Sequence, residues 1–399
     1  MISTVRQIYN EAFSKERYQD LLQAINEDLP GMLDFRIAET PVFVPKELKE
    51  KLISACDHII DVIAADNFKE LTEKAIPRND YVPNEDDHAG FLAIDFAVCR
   101  NESTGELEPQ LIELQGFPSL FGFQAYIPGQ FRHHFPIPES YTSLFNVADR
   151  DAYVDELRKL IVGEHDPAHV ILLEIYPEQQ KTRIDFELTR RFLGVEPVCL
   201  TNIKKEGRTL SYEKDGRLIP IKRIYNRLIF DDLQRFVNLD TEFSPTDDVD
   251  VEWVCHPNWF FRISKYTLPL FDSPFVPKSH FLSDLEAYPA DLENYVLKPL
   301  FSFAGSGVQL HISEEDLDAI PPYERHNFLL QRKVQYEPVI QSPDGLVKCE
   351  IRMLFIWHKD EPRPKLVTNL ARLSRGEMIG VNFNKNKDWV GGSICFFEP

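Results

Sequence analysis

The sequence predicts an α/β (α+β) protein with mixed and antiparallel sheets, and three observations carry this prediction. The first 75 residues place apolar side chains at helical spacing. Residues 168–203 read as a strand, an amphipathic helix and a second strand, and residues 294–397 contain a series of strand-like segments. Helices followed by strands, with one βαβ unit between them, are typical of a protein with several sheets.

The N-terminal region is predicted to be mainly helical. The apolar positions at helical spacing are Ile8, Phe13, Tyr18, Leu21 and Leu22. A second helix is predicted to follow Pro45, because proline suits the first helical turn. Residues 91–100 and 110–116 then follow strand patterns, and the turn-rich residues 101–109 predict a hairpin connection between them.

The middle of the chain is predicted to form a small α/β unit over residues 150–260, after a proline-rich linker at 134–141. Its first strand is 168–176, its helix ends at Gly194, and its second strand begins at Glu196. A hairpin is predicted to turn at Asp215 and Gly216.

The C-terminal part is predicted to be rich in strands. The strand-like segments are 294–300, 308–312, 328–334, 348–357, 365–373 and 393–397. One short helix, 313–320, is predicted among them, with Ser313 as its N-cap and Asp316 in the capping-box position.

Composition and charge exclude several classes of function. A chain of 399 residues has room for two or three domains. The 44 basic and 64 acidic residues give a net charge of −20, which repels phosphate backbones and anionic lipid and argues against a nucleic-acid or membrane-surface protein. The six cysteines are scattered without a CxxC pair, and the N-terminus lacks the apolar core of a signal peptide. We therefore expect a cytoplasmic protein with reduced thiols.

The sequence lacks GxSxG, HExxH and GxxxxGK[ST] motifs. Its most informative segment is a strand that ends at Lys298 and is followed by a loop of small residues. The loop residues are Ser302, Phe303, Ala304, Gly305, Ser306 and Gly307. Backbone N–H groups of such a loop can approach phosphate oxygens while the lysine supplies positive charge. An ordinary tight turn would have the same composition.

Carboxylates on the first two predicted strands suggest a metal site. Asp95 and Glu113 lie on consecutive strands, and Gln115 follows Glu113 on the same face. Three oxygen donors of this kind suit Mg²⁺ bound together with nucleotide phosphates. The alternative is a solvent-exposed polar strand face. Arg372, just after a strand, is placed to meet transferred charge.

Together these motifs resemble the circularly permuted branch of the ATP-grasp ligases, which contains glutathione synthetase and glutathionylspermidine synthase. The resemblance implies an ATP-grasp fold with an inserted βαβ subdomain. It implies boundaries at 1–145 for the helices and metal-binding strands, 146–260 for the inserted substrate subdomain, and 261–399 for the nucleotide-binding region. It also implies ATP and Mg²⁺ as cofactors.

The resemblance further implies a role for individual residues. Asp95, Glu113 and Gln115 match the metal ligands, and Arg372 and Lys298 match the catalytic cations. The nucleotide-binding matches are Lys265, Lys298, the 302–307 loop, the adenine hinge from Gln331 to Val334, and a ribose-binding glutamate at Glu350 or Glu337. Arg227 and Ser119 are the candidate substrate-binding residues, although a surface ion pair is an equal interpretation of Arg227. Arg352, Trp253, Trp259 and Trp357 are interpreted as packing residues.

The resemblance implies ligation of a small-molecule or peptide carboxylate to an amine through an acyl-phosphate. Three positions depart from the family pattern: Gln115 replaces the usual asparagine, Ala93 replaces an arginine, and Ser302 replaces an acidic residue. Two other functions therefore remain open, a nucleotide-binding protein without turnover and a phosphotransferase that modifies a hydroxyl. The sequence does not identify the acid, the amine or the oligomeric state.

Overall fold

The structure is a computed structural model that describes residues 1, 3–236, 239–301, 307–376, 379 and 384–399. In these ranges the α-helices are α1 (Ser3–Ala12), α2 (Lys15–Asp28), α3 (Lys46–Ile63), α4 (Phe68–Leu71), α5 (Phe121–His134), α6 (Arg150–Ile161), α7 (Arg183–Leu193), α8 (Phe230–Arg235), α9 (Asn258–Arg262) and α10 (Glu314–Asp318). The strands are β1 (Val42–Val44), β2 (Phe91–Arg100), β3 (Leu107–Gln115), β4 (Val170–Glu174), β5 (Glu196–Cys199), β6 (Ile203–Glu206), β7 (Thr209–Lys214), β8 (Arg217–Ile221), β9 (Arg223–Asn226), β10 (Glu252–Val254), β11 (Ser279–Phe281), β12 (Tyr295–Pro299), β13 (Phe328–Arg332), β14 (Ile340–Ser342), β15 (Gly345–Ile356), β16 (Lys365–Ser374), β17 (Gly391–Ser393) and β18 (Cys395–Phe397).

A central antiparallel sheet has the strand order β17-β16-β15-β2-β3, and β14 pairs with the start of β15. Strand β2 is buried on both faces because helices cover both sides of it. Leu92 and Ile94 pack in one core with α3, while Phe91 and Ala93 pack in a second core with α6. Side chains alternate along a strand, so Asp95 continues the face of Phe91 and Ala93.

A second sheet contains four parallel strands in the order β10-β9-β4-β5. The predicted βαβ unit is confirmed, since α7 connects β4 to β5 and ends at Gly194 with a φ of 78°. The predicted hairpin is also confirmed: β7 and β8 are antiparallel, and Asp215 and Gly216 have φ values of 52° and 71°. Positive φ at both turn positions is the geometry that suits a two-residue hairpin.

A third sheet has the order β11-β13-β12 and carries Lys298 near the end of β12. The register pairs Val296 with Gln331 and Lys298 with Leu329, so these four residues share one face. The predicted strand at 308–312 is wrong: this segment contributes one bridge, between Gln309 and Leu297, because its backbone leaves the sheet after that pair. The predicted capping box of α10 is confirmed at Ser313 and Asp316.

Two further helical features differ from the sequence expectation. The N-terminal helical pattern is divided into α1 and α2, because Ser14 adopts an extended conformation and its hydroxyl accepts a hydrogen bond from the N–H of Arg17. Helix α5 was not predicted, although it contributes Phe121 and Ala125 to one core and Phe123 and Phe131 to another. No helix in the described ranges is both long enough and apolar enough to cross a membrane.

A buried cluster of charged residues as the candidate functional site

Four adjacent strands of the central sheet bring acidic and basic residues together on one face. Asp95 on β2 is in register with Glu113 on β3 and with Arg352 on β15. Glu350, two residues before Arg352 on the same strand, is in register with Arg372 on β16. We call these five residues, together with Lys298 and Lys265, the charged cluster.

The centre of the charged cluster is a pair of arginines bound to buried carboxylates. Arg352 donates from Nε to Oδ1 of Asp95 and from Nη2 to Oδ2, each at 2.6 Å. Arg372 donates to Oδ2 of Asp95 at 2.7 Å and also to Oε1 of Glu350. The hydroxyl of Tyr336 donates to the other oxygen of Glu350 at 2.8 Å. Asp95 is fully buried and Glu350 is 2 % exposed, so these hydrogen bonds satisfy charges that water does not reach.

Glu113 is the carboxylate of the cluster that keeps contact with solvent, with 26 % of its side chain exposed. Its Oε1 lies 3.6 Å from Nη2 of Arg352 and 3.5 Å from Nη2 of Arg372, and it accepts a hydrogen bond from the Gln115 amide at 3.0 Å. Burial would raise the pKa of Glu113, but Arg372, Arg352 and the two lysines outweigh it and lower that pKa to about 2.

Lys298 lies across from Glu113, and its Nζ donates to the carbonyl of Ile112 at 3.3 Å. Burial and the nearby charge of Lys265 lower the pKa of Lys298 to about 8, although Glu113 and Glu350 oppose this change. A lysine with a lowered pKa stays protonated at neutral pH but is poorly compensated. It is therefore available to a ligand that carries negative charge.

Lys265 enters the cluster from a short 3₁₀ helix, Lys265–Leu270, and is 7 % exposed. The position of that helix depends on Gly116, whose N–H donates to the carbonyl of Ile263 at 3.0 Å. A Cβ on Gly116 would lie 2.6 Å from the carbonyl oxygen of Trp259. Only glycine therefore allows the end of β3 to approach the segment that carries Lys265.

The charged cluster brings four cations and three carboxylates together. It lies in a chain whose net charge is −20. A partly buried site of this kind attracts anions strongly, because low polarity around it reduces screening. The phosphate groups of a nucleotide fit this description.

The three predicted metal ligands are neighbours on β2 and β3, and Asp95 among them is hydrogen-bonded to two arginines. Both oxygens of Asp95 are taken by Arg352 and Arg372, and the residue is fully buried. Glu113 and Gln115 are the oxygen donors that remain beside it. Across the described ranges, no group of three or more His, Cys, Asp or Glu side chains is arranged to hold a metal ion.

The other predicted nucleotide-binding residues are not members of the charged cluster. Gln331 is 1 % exposed, and its buried Nε2 has no hydrogen-bond partner among the described residues. Val334 follows β13 in an irregular segment, and Glu337 in that segment is paired with Arg100 instead of the cluster arginines. Gly307 has a φ of 72° and packs against Pro299. The loop residues Ser302, Phe303, Ala304, Gly305 and Ser306 lie outside the described residues.

Arg227 and Ser119 lie near each other, at the edge of the parallel sheet. Arg227 follows β9 directly, donates from Nη1 to the carbonyl of Pro118 at 2.7 Å and stacks over Phe117. The Nε of Arg227 and the Nδ2 of Asn226 are buried without partners in the described part of the chain. Neighbouring strands β4 and β9 connect onward in opposite directions here, and ligands of open α/β sheets bind at the carboxyl ends of such strands.

The sequence interpretation missed the role of Arg352 in the charged cluster and of Tyr336, which donates to Glu350 of the cluster. The interpretation of Arg352 as a packing residue is wrong, because its guanidinium makes the two hydrogen bonds to Asp95. A signal was present: Arg352 follows Glu350 by two residues, the rest of the segment from Cys349 to Ile356 is apolar, and such a pair shares one face of the strand. Tyr336 lies in an irregular segment and had no such signal.

This chain is similar to known proteins in its structure. No protein family model matches the sequence, and no curated protein is significantly similar to it. Among solved structures, the chain is similar to a glutathione synthetase-like effector from Globodera pallida in its apo form, with a TM-score of 0.59 and 10 % identity. The match covers 97 % of this chain and 98 % of that chain. The fold is therefore glutathione synthetase-like, with mixed α/β structure and both parallel and antiparallel sheets.

Proposed function

We propose that the protein binds ATP at the charged cluster and ligates a carboxylate to an amine. The observation that carries this proposal is the convergence of four cations on one partly buried face of the central sheet, where three carboxylates also lie. The four cations are Lys298, Lys265, Arg352 and Arg372. Positive groups that converge in a partly buried site suit a polyphosphate better than they suit a neutral ligand.

The fold supports the same proposal. A glutathione synthetase-like neighbour matches along nearly the whole chain. The sequence motifs resemble the circularly permuted ATP-grasp ligases at every residue of the charged cluster except Arg352. We therefore propose an ATP-grasp fold with the divisions 1–145, 146–260 and 261–399, in which the face of the third sheet with Lys298 and Gln331 covers the nucleotide.

The proposed reaction needs no nucleophilic side chain from the protein. A carboxylate oxygen of the substrate bonds to the γ-phosphorus of ATP while the bond from that phosphorus to ADP breaks. The amine nitrogen then bonds to the acyl carbon, phosphate leaves, and the amine loses a proton. Lys298 and Lys265 neutralise the negative charge of the phosphate oxygens, and Arg372 stabilises the charge of the phosphoryl group during its transfer.

The remaining roles follow from position. Arg227 and Ser119 would orient the substrate carboxylate at the edge of the parallel sheet, where two buried polar atoms have no partner among the described residues. A magnesium ion that accompanies ATP would meet Glu113 and Gln115, and its charge would act on the phosphoryl group during transfer. The segment from Gln331 to Val334 would offer polar groups to the adenine. Glu350 accepts hydrogen bonds from Arg372 and Tyr336.

A second candidate function is nucleotide binding without turnover. One observation favours it: Asp95, which the family resemblance assigns to metal binding, is held by two arginines. The two candidates share the nucleotide site and differ in whether a carboxylate is activated there. They make opposite predictions for the release of ADP.

The proposed function is tested in two steps. First, ATP with Mg²⁺ should raise the melting temperature, since ligand at 100 times its Kd adds about 2.7 kcal/mol to the free energy of unfolding. Second, ADP release should be measured with panels of acids and amines, added separately and together. The matched variants are Lys298→Ala in the cluster and Arg363→Ala, whose side chain is exposed and pairs with Asp61.

Release of ADP that requires both an acid and an amine, and that is lost in Lys298→Ala only, supports the ligase. Stabilisation by ATP without ADP release from any combination supports the second candidate. ADP release with an alcohol as acceptor would identify a phosphotransferase. The absence of any shift at millimolar nucleotide would contradict all three functions.

A further inference from the structure

The position beside Asp95 is filled by a guanidinium group. Arg352 binds Asp95 through two parallel hydrogen bonds of 2.6 Å, and both oxygens of the carboxylate are used. Arg372 adds a third hydrogen bond to the same carboxylate at 2.7 Å. The two-nitrogen contact of Arg352 fixes the plane of the carboxylate, which the single ammonium group of a lysine would not do.

A divalent cation cannot join this arrangement without displacing an arginine. Asp95 is fully buried, and each of its carboxylate oxygens already accepts a hydrogen bond from an arginine. A metal ion bound to it would also lie within a few ångströms of two guanidinium groups of the same charge sign. Displacing Arg352 would leave that group, itself 7 % exposed, without the partner that compensates its burial.

We infer that Arg352 takes the place of a divalent cation at Asp95, so that Asp95 positions two guanidinium groups for a phosphate-bearing ligand and binds no metal. The inference rests on the proposed function only in the nature of that ligand. Arg352 supplies charge where the family resemblance expects a metal ion. Binding of nucleotide phosphates therefore depends on this arginine and depends little on added Mg²⁺.

The first experiment measures metal alone. Mn²⁺ is titrated into the protein without nucleotide and followed by electron paramagnetic resonance, in the wild type, Asp95→Asn and Glu113→Gln. We expect Asp95→Asn to leave the Mn²⁺ affinity of the protein unchanged. A wild-type site whose Mn²⁺ affinity falls tenfold or more in Asp95→Asn would overturn the inference. Where Asp95→Asn fails to fold, Arg352→Gln decides: Mn²⁺ affinity should rise tenfold or more when Asp95 is partly released, and an unchanged affinity overturns the inference.

The second experiment measures nucleotide. ATP is titrated calorimetrically with Mg²⁺ and with EDTA into the wild type, Arg352→Gln and the exposed control Arg363→Gln. We expect the wild-type affinity to fall less than tenfold when Mg²⁺ is removed, and Arg352→Gln to lose at least tenfold in EDTA. A wild-type loss greater than tenfold, or an Arg352→Gln variant equal to the control, contradicts the inference. If no nucleotide binds under any condition, the proposed function fails, and the Mn²⁺ titration still decides the role of Arg352.

Discussion

Lys298→Met is expected to stabilise the ligand-free protein while it weakens nucleotide binding. In the folded protein, Lys298 is held protonated beside Lys265 in a partly buried site, and burial lowers its pKa from 10.5 to about 8. A group whose charged form is disfavoured by folding costs stability. Methionine has similar length without the charge, so the variant removes that cost and keeps the packing.

The magnitude follows from the two pKa values. A difference of one in pKa corresponds to about 1.4 kcal/mol, so the change from 10.5 to about 8 has an upper limit of about 3.4 kcal/mol. Lys298 is only half-buried, and water screens its charge. We therefore expect Lys298→Met to raise the free energy of unfolding by about 1 to 2 kcal/mol at pH 7.

The sign of the pH dependence can be stated in advance. Between pH 8 and 10.5 the unfolded chain binds a proton at Lys298 that the folded chain has lost, so wild-type stability rises with pH through this window. The advantage of Lys298→Met is therefore complete below pH 8 and disappears by pH 10.5. Nucleotide affinity of the wild type should fall above pH 8, as the ammonium loses its proton.

Urea unfolding from pH 7 to 10 measures the stability, and calorimetric ATP titration measures the affinity. Lys359→Met is the matched control, since Lys359 is exposed. A charge-assisted hydrogen bond contributes about 1.5 to 3 kcal/mol, so the ATP affinity of Lys298→Met should fall by about 10- to 150-fold. A variant less stable than the wild type at pH 7 would refute the assigned electrostatics. An unchanged ATP affinity would refute the assigned phosphate contact.

Two further substitutions test the geometry of the site. Glu113→Gln should lower the free energy of unfolding by about 1 to 3 kcal/mol at pH 7, because the cluster cations hold the pKa of Glu113 at about 2. In urea unfolding, the difference in free energy of unfolding between Glu113→Gln and the wild type should shrink as the pH falls from 4.5 towards 2. A difference that stays constant would mean that the charge of Glu113 is not its cause. Gly116→Ala should cost about 1 to 3 kcal/mol or more, since its Cβ would lie 2.6 Å from the Trp259 carbonyl oxygen. Gly129→Ala on α5 is the control, because a Cβ there meets no described atom within 4 Å. It should raise the free energy of unfolding by about 0.5 to 1 kcal/mol. Equal melting temperatures of the two variants would disprove the close contact at Gly116.

The fold was predictable where local pattern and final packing agree. Asp215 and Gly216 predict a hairpin turn, and Gly194 predicts a helix end, because these residue types tolerate a positive φ whatever the distant residues are. Helix α5 was not predicted because its apolar residues face two cores, which removes the single apolar stripe that marks an amphipathic helix. The segment 308–312 has strand-like alternation, but pairing beyond Gln309 depends on tertiary context that the local pattern does not contain.

The site was predictable only as a set of unusual residues. Asp95 and Glu113 stood out as acids within apolar strands, and Lys298 stood out by its place before a loop. Their partners could not be assigned, because the register between β2 and β15 joins residues 257 positions apart. The choice between a metal ion and an arginine beside Asp95 depends on that register. A sequence pattern over one strand therefore indicates a charged site without showing what compensates the charge.

The distance in sequence between Asp95 and Arg352 also affects when the charged cluster can form during protein synthesis. Asp95 is translated 257 residues before Arg352, an interval of about 13 to 50 s at about 5 to 20 residues per second. During that time the β2–β3 hairpin has neither its neighbouring strand β15 nor the arginines that compensate Asp95. Contacts so distant in sequence form slowly, and an uncovered strand edge can pair with other chains. We therefore expect the nascent hairpin to be the segment of this chain most in need of a chaperone, and translation through β16 to be the step that ends that need.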